Sequence, residues 1–83
     1  MIDIIFEKEN NRALALENNK IIGECDFIEN NNVWNIVHTE VDKNYQGQGI
    51  ARLLVEKIVE EAKEINKNIT ASCSYAKKII ERK

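Results

Sequence analysis

The sequence predicts an α+β fold of order β-β-β-β-α-β-α, with a mixed sheet that is antiparallel at first and has parallel fourth and fifth strands. Three observations carry that reading. The first half is a series of apolar stretches separated by asparagine clusters, the second half switches to helical spacing, and a short run of small apolar residues stands between two helical segments.

The stretches at residues 2–6, 12–17, 21–29 and 33–41 are the first four strands. Asparagine separates them, at Glu9-Asn10-Asn11, Asn18-Asn19 and Asn30-Asn31-Asn32, because its side chain tolerates the left-handed backbone of tight turns. The third strand alternates, with Ile21, Gly23, Cys25 and Phe27 on one face and Glu24 and Asp26 on the other. On the fourth, Trp34, Ile36, His38 and Glu40 share a face, and Trp34 is expected in the core. Short turns make these strands antiparallel.

Ile50, Leu53, Leu54, Ile58, Ala62 and Ile65 then form a helical stripe, with Arg52, Glu56, Glu60, Lys63 and Glu64 mostly opposite. Glu56 and Glu60 repel mildly, and the pairs of Glu60 with Lys63 and Glu64 cancel, so the apolar stripe holds this helix. After Asn66-Lys67-Asn68, residues 69–73 read as a fifth strand and residues 75–82 as a closing helix, with Ala76, Ile79 and Ile80 inward. A helical crossover makes the fourth and fifth strands parallel neighbours.

With 83 residues, 43% apolar and 31% charged, the chain is expected to be one domain, residues 1–83, with a small core. A formal charge of −2 gives no electrostatic case for nucleic acid. No apolar run is long enough for a membrane span, and the amino terminus lacks the pattern of a secretory signal, so a cytoplasmic location is expected. Two cysteines are too few for a disulfide scaffold, and no His/Cys group has zinc spacing, so no metal is expected. Asn68-Ile69-Thr70 matches a glycosylation acceptor by chance.

The most informative segment is Tyr45-Gln46-Gly47-Gln48-Gly49-Ile50-Ala51, between the fourth strand and the long helix. Glycines there either make a close-packed turn or let the backbone approach a ligand, and the first helical N–H groups then form a cradle suited to a diphosphate. A Walker loop is excluded because Gly-Lys-Ser/Thr is absent. A dinucleotide fingerprint is excluded because Arg52 stands where a third small residue belongs. A calcium loop from Asp42 fails because Leu53 stands where the closing glutamate would be.

With its Gln46-Gly47-Gln48-Gly49-Ile50-Ala51 after a strand and opening a helix, the chain resembles the GNAT superfamily of acyl-CoA-dependent N-acetyltransferases. It is most similar to the minimal, single-domain GNAT-like group, through His38-Thr39-Glu40-Val41 and Cys73-Ser74-Tyr75-Ala76-Lys77. The resemblance implies that the backbone of Gln46, Gly47, Gln48, Gly49, Ile50 and Ala51 binds the pyrophosphate of acetyl-CoA. It also implies that the fourth and fifth strands splay, with Val37, Thr39 and Val41 on the edge that pairs with the pantetheine arm. Ser74, Tyr75 and Lys77, at the start of the closing helix, belong to the same coenzyme-binding set, and Arg52, Lys77 and Lys78 are candidates for the 3′-phosphate. A side chain at Gly49 is expected to block the cradle.

Acetyl transfer to an amine calls for a base, stabilisation of the thioester oxygen and protonation of the leaving thiolate. His38, the only histidine, is either a packed core residue or the base, since an imidazole titrates near neutrality. Cys73, at a strand end where a helix begins, is either a small buried hydrophobe or a nucleophile that carries the acetyl group. Larger family members place a tyrosine where this chain has Ile80, which favours a route through acyl-Cys73 beside direct attack. Glu40 and Asp42 are candidates to attract a cationic amine, Ser74 to cap the closing helix, and Cys25 to be buried and inert. The expected acceptor is a lysine side chain, a polyamine or a small amine, and the expected state is a monomer or weak homodimer. The alternative is a coenzyme A-binding module with little or no catalysis.

Overall fold

The computed structural model describes residues 1–81. The strands β1 (Asp3–Glu7), β2 (Arg12–Glu17), β3 (Lys20–Asn30) and β4 (Val33–Val41) are followed by α1 (Ile50–Glu64), β5 (Asn68–Ala71) and α2 (Ser74–Glu81). They form one sheet of order β1-β2-β3-β4-β5, antiparallel throughout except for the parallel β4–β5 pair. The α+β class and the strand directions are thus as the sequence predicts. Asparagine does make the turns: Asn11, Asn18, Asn19, Asn31 and Asn66 have φ of 52°, 51°, 67°, 57° and 59°, the left-handed region that asparagine enters more cheaply than most residues. Among the described residues no helix is long and apolar enough to cross a membrane.

Both helices pack on one face of the sheet. Trp34 and Ile36 are fully buried there, and the Trp34 ring lies 4.3 Å from that of Phe27 and 5.7 Å from that of Phe6. Ile50, Leu54, Val55, Ile58, Val59 and Ala62 of α1 cover this floor, joined by Ala76 and Ile79 of α2. The buried stripe of α1 therefore includes Val55 and Val59, while Leu53 and Ile65 are about half exposed. Surface pairs do assist α1, contrary to expectation: Arg52–Glu56 (3.1 Å) and Lys57–Glu61 (3.3 Å) lie one helical turn apart, each worth a few tenths of a kcal/mol (about 0.3–0.5). Gly23 is the glycine required by packing. A Cβ there would lie 3.2 Å from the Glu40 carbonyl oxygen and 3.3 Å from Leu54 Cδ1.

Two β-bulges correct the face assignments. The register of β2 and β3 shifts between Ala15 and Leu16. Ile22 consequently enters the core at 1% exposure, and Ile21, expected inward, is 50% exposed. The β3–β4 register shifts between Asp26 and Phe27, which leaves Val37 as an extra residue between Ile36 and His38. A bulge moves the following side chains to the opposite faces. His38 and Glu40 accordingly project from the face without helices, and His38 does not share the core face of Trp34 and Ile36.

The fifth strand ends at Ala71 rather than residue 73, because the Ser72 and Cys73 N–H groups both turn onto the Ile36 carbonyl, at 2.9 and 3.3 Å. The closing helix starts at Ser74, and its expected end at Arg82 lies outside the described residues.

Candidate active site

Strand β4 has two halves. Residues 33–36 pair with residues 68–71 of β5. Above Ile36 the ladder stops, β5 gives way to α2, and the edge of residues 37–41 facing away from β3 has no strand beside it. Side chains seal the lower half further: Asn35 donates to Ser72 Oγ at 2.9 Å and accepts from Thr70 Oγ1 at 2.8 Å. The sheet therefore opens into a gap at the carboxyl end of its parallel pair.

Downstream of β4 the chain is pinned before it reaches the glycines. Asp42 Oδ1 accepts from the Asn44 N–H at 2.9 Å, Gln46 Nε2 donates to the Val41 carbonyl at 3.3 Å, and the Tyr45 hydroxyl donates to Glu17 Oε1 at 2.6 Å. Gly47 and Gly49 then take φ of 84° and 78°. A Cβ at either position would meet nothing within 4 Å. These glycines are thus required by backbone conformation, not by crowding within the protein.

Gly49 is the residue that starts α1, and it has no side chain to cap the helix. The backbone N–H groups of Gly47, Gln48, Gly49, Ile50, Ala51 and Arg52 donate to no acceptor among the described residues. No acidic side chain stands in the first turn either. The partial positive charge of the helix start is left uncompensated, the condition under which an anion binds there.

This helix start and the open edge of β4 share one groove. A cavity of about 550 Å³ is lined by Thr39, Val41, Tyr45, Gln46, Gly47, Gly49, Ile50, Ala51 and Tyr75. A second, of about 200 Å³, continues past Tyr75 to Gly49, Arg52, Lys78 and Ile79. Of the α2 residues singled out in the sequence, Tyr75 walls both cavities. Ser74 and Lys77 line neither, while Lys78, singled out with Arg52 and Lys77 for the 3′-phosphate, lines the second with Arg52. Val37 and Gln48 lie outside the lining as well, both exposed at the surface.

Cys73, and not Ser74, holds the capping position of α2, with the Lys77 N–H on its carbonyl at 3.0 Å. Burial pushes its thiol up, but the Ala76 N–H, the Thr39 hydroxyl and the N–H groups of Tyr75 and Thr39 outweigh that and hold it below the ordinary thiol value. Cys25 is fully buried, as expected, and burial pushes its thiol up to about 11. The Thr39 hydroxyl touches both sulfurs, at 3.4 Å from Cys25 and 3.9 Å from Cys73. Thr39 entered the sequence reading through its backbone alone; no local signal marks a hydroxyl that meets partners 14 and 34 positions away.

His38 and Cys73 are not brought into contact. The imidazole Nε2 instead lies 3.3 Å from Glu40 Oε1 on the helix-free face. On that face a cavity of about 220 Å³ is lined by Ile21, Ile22, Gly23, Glu24, Glu40 and Asp42. Its wall is acidic, and a hydrogen bond with Asp26, burial and the Asp26 charge raise the Glu24 carboxyl above its usual value.

Comparison with known proteins follows the same lines. Residues 11–83 match the family model described as GCN5-related N-acetyl-transferase. The solution structure of a GCN5-like protein from Staphylococcus aureus is 34% identical, with a TM-score of 0.74 over 96% of this chain and 78% of that one. A Bacillus anthracis protein described as a putative streptothricin acetyltransferase, solved in complex with acetyl coenzyme A, is 31% identical with a TM-score of 0.67; 86% of this chain spans 44% of it. A second Staphylococcus aureus structure, a probable acetyltransferase, shares the fold at 18% identity, with a TM-score of 0.74 over 99% of this chain and 87% of that one. No match is found among curated proteins.

Proposed function

This chain belongs to the GCN5-related N-acetyltransferase family and is an acetyltransferase that uses acetyl-CoA; on that footing we propose which residues do the work. The backbone of Gln46, Gly47, Gln48, Gly49, Ile50 and Ala51 holds the pyrophosphate, and the free edge of Val37, Thr39 and Val41 pairs with the pantetheine arm. Tyr75 walls that path, with Ser74 and Lys77 beside it and Arg52 and Lys78 offering positive charge further along. The supporting observation is that the unpaired N–H groups of residues 47–52 and the edge of β4 that no strand covers lie along one groove. A peptide-like arm adds to such an edge as another strand would.

Acetyl-CoA supplies an activated thioester. Cys73 attacks as a thiolate and becomes an acetyl thioester, releasing the coenzyme as its thiol with a proton from solvent. His38 then takes the proton of an ammonium acceptor, the free amine attacks acetyl-Cys73, the second amine proton passes to solvent as the amide forms, and the Cys73 thiolate is restored. The gap between β4 and β5 lets the acceptor come from the face of His38 while the coenzyme lies on the other. The acceptor is a cationic amine of the kind carried by a lysine side chain or a polyamine, because Glu24, Glu40 and Asp42 line that approach.

Calorimetric titration with acetyl-CoA should show saturable binding; none up to millimolar ligand removes the proposal. Intact mass after incubation with acetyl-CoA should gain one acetyl group, lost in Cys73→Ala and kept in Cys25→Ala. An unmodified mass during turnover excludes the acyl-cysteine route. A second reading, coenzyme binding with little catalysis, draws on the separation of His38 and Cys73. Acetylated polyamine whose formation depends on His38 eliminates it.

A further inference from the structure

One hydroxyl joins two sulfurs in this fold. Thr39 Oγ1 on β4 lies 3.4 Å from Cys25 Sγ on β3 and 3.9 Å from Cys73 Sγ at the start of α2. We propose that Thr39 is a positioning residue for Cys73: its oxygen accepts from the Cys25 S–H, and its own hydrogen turns to Cys73 once that thiol, which donates to Thr39 Oγ1 while protonated, becomes a thiolate. The role given to Thr39 rests on Cys73 as the acetyl carrier, while the hydrogen bond itself can be tested without that reaction.

The asymmetry of the two sulfurs gives the chain its direction. Cys25 has 0% exposure and Thr39 as its hydrogen-bond partner. Burial keeps its proton in place at neutral pH, so it serves as a donor. A hydroxyl carries only one hydrogen. With its oxygen engaged by Cys25, Thr39 has that hydrogen to give to the other sulfur. Cys73 is half-buried and leads into α2, where the thiolate already has the Ala76 and Tyr75 N–H groups. Thr39 is the side chain among the groups that favour the thiolate, and so the one that substitution can remove.

The bulge at Val37 makes this contact possible. Strict alternation from Trp34 and Ile36 would turn His38 toward the sulfurs and Thr39 away; the extra residue reverses both. The flanking charges of β4, His38 and Glu40, therefore leave from the opposite face. From β3, Asp26 is the charge that acts on Cys25. The α1 and β5 side chains in the shared core are aliphatic there, including Ile50, Leu54, Ile69 and Ala71.

The test is the pH dependence of Cys73 alkylation by iodoacetamide in the purified chain, with the modified residue identified by peptide mass. Thr39→Val keeps the shape and removes the hydroxyl. It should raise the thiol pKa and cut the alkylation rate at pH 7 several-fold, the lost thiolate fraction outweighing the gain in intrinsic nucleophilicity, and Thr39→Ser should restore it. An unchanged profile in folded Thr39→Val overturns the proposal. So does an equal loss in Thr39→Ser, which would assign the effect to backbone displacement. Should Thr39→Val not fold, Cys25→Ala decides: a raised Cys73 pKa supports the chain of donors, and an unaltered one overturns it. Because alkylation needs no coenzyme, full acetyl transfer by Cys73→Ala would reject the carrier role without touching this result.

Discussion

The two halves of β4 are built from one continuous strand, yet they are put to opposite uses. Residues 33–36 are closed on both sides, by β3 and β5, and carry Trp34 and Ile36 at 0% exposure. Residues 37–41 keep β3 on one side and have no strand on the other. The closed half supplies cohesion. The open half supplies an edge without a neighbouring strand, touched only by side chains such as Cys73 at the Thr39 N–H and Gln46 at the Val41 carbonyl. The contrast implies that stability and ligand binding are separable by mutation along a single strand.

Trp34→Ala should have the largest effect. Emptying a buried stack on Phe27 and Phe6 is expected to cost about 3–5 kcal/mol, read as the shift in the urea midpoint, and a loss below about 1 kcal/mol would break the contrast. Gly49→Val comes next. A β-branched residue is strained at the φ of 78° found there, so the helix start should distort and acetyl-CoA affinity should fall about 100-fold by calorimetry, or about 2.7 kcal/mol. If its stability fell as far as that of Trp34→Ala, the two regions would not be separable.

The smallest effect sharpens the comparison by showing that the open half rests on a closed floor. The Cys25 thiol is raised from 9.0 to about 11 in the fold. Between those values the unfolded chain sheds this proton and the native chain keeps it. The stabilisation is therefore full below pH 9 and lost as pH rises through about 11. A fall of about 2 kcal/mol across that window is expected, and thermal melts of Cys25→Ala should be flatter there than those of the unaltered chain.

Much of this architecture is legible in the sequence. Asparagine clusters marked the turns because few other residues accept positive φ, and the switch from strand to helical spacing placed α1. The glycine turn was legible for the same reason, since Gly47 and Gly49 do adopt left-handed backbone. The bulges were not. One extra residue inside an apolar run leaves no mark on composition, and it was enough to exchange Ile21 for Ile22 and to turn His38 out of the core face. The capping role of Cys73 was hidden behind Ser74, a better capping residue by propensity, because the two N–H groups shared by the Ile36 carbonyl decide where β5 stops. Contacts such as Thr39 with both sulfurs join three elements and have no local signature.

The uncapped beginning of α1 has one more consequence. A helix that lacks its own terminal partner is finished from outside, by whatever anion settles on it. On the proposed binding mode, occupancy and resistance to heat should then rise together, so that the coenzyme would double as the last piece of the architecture.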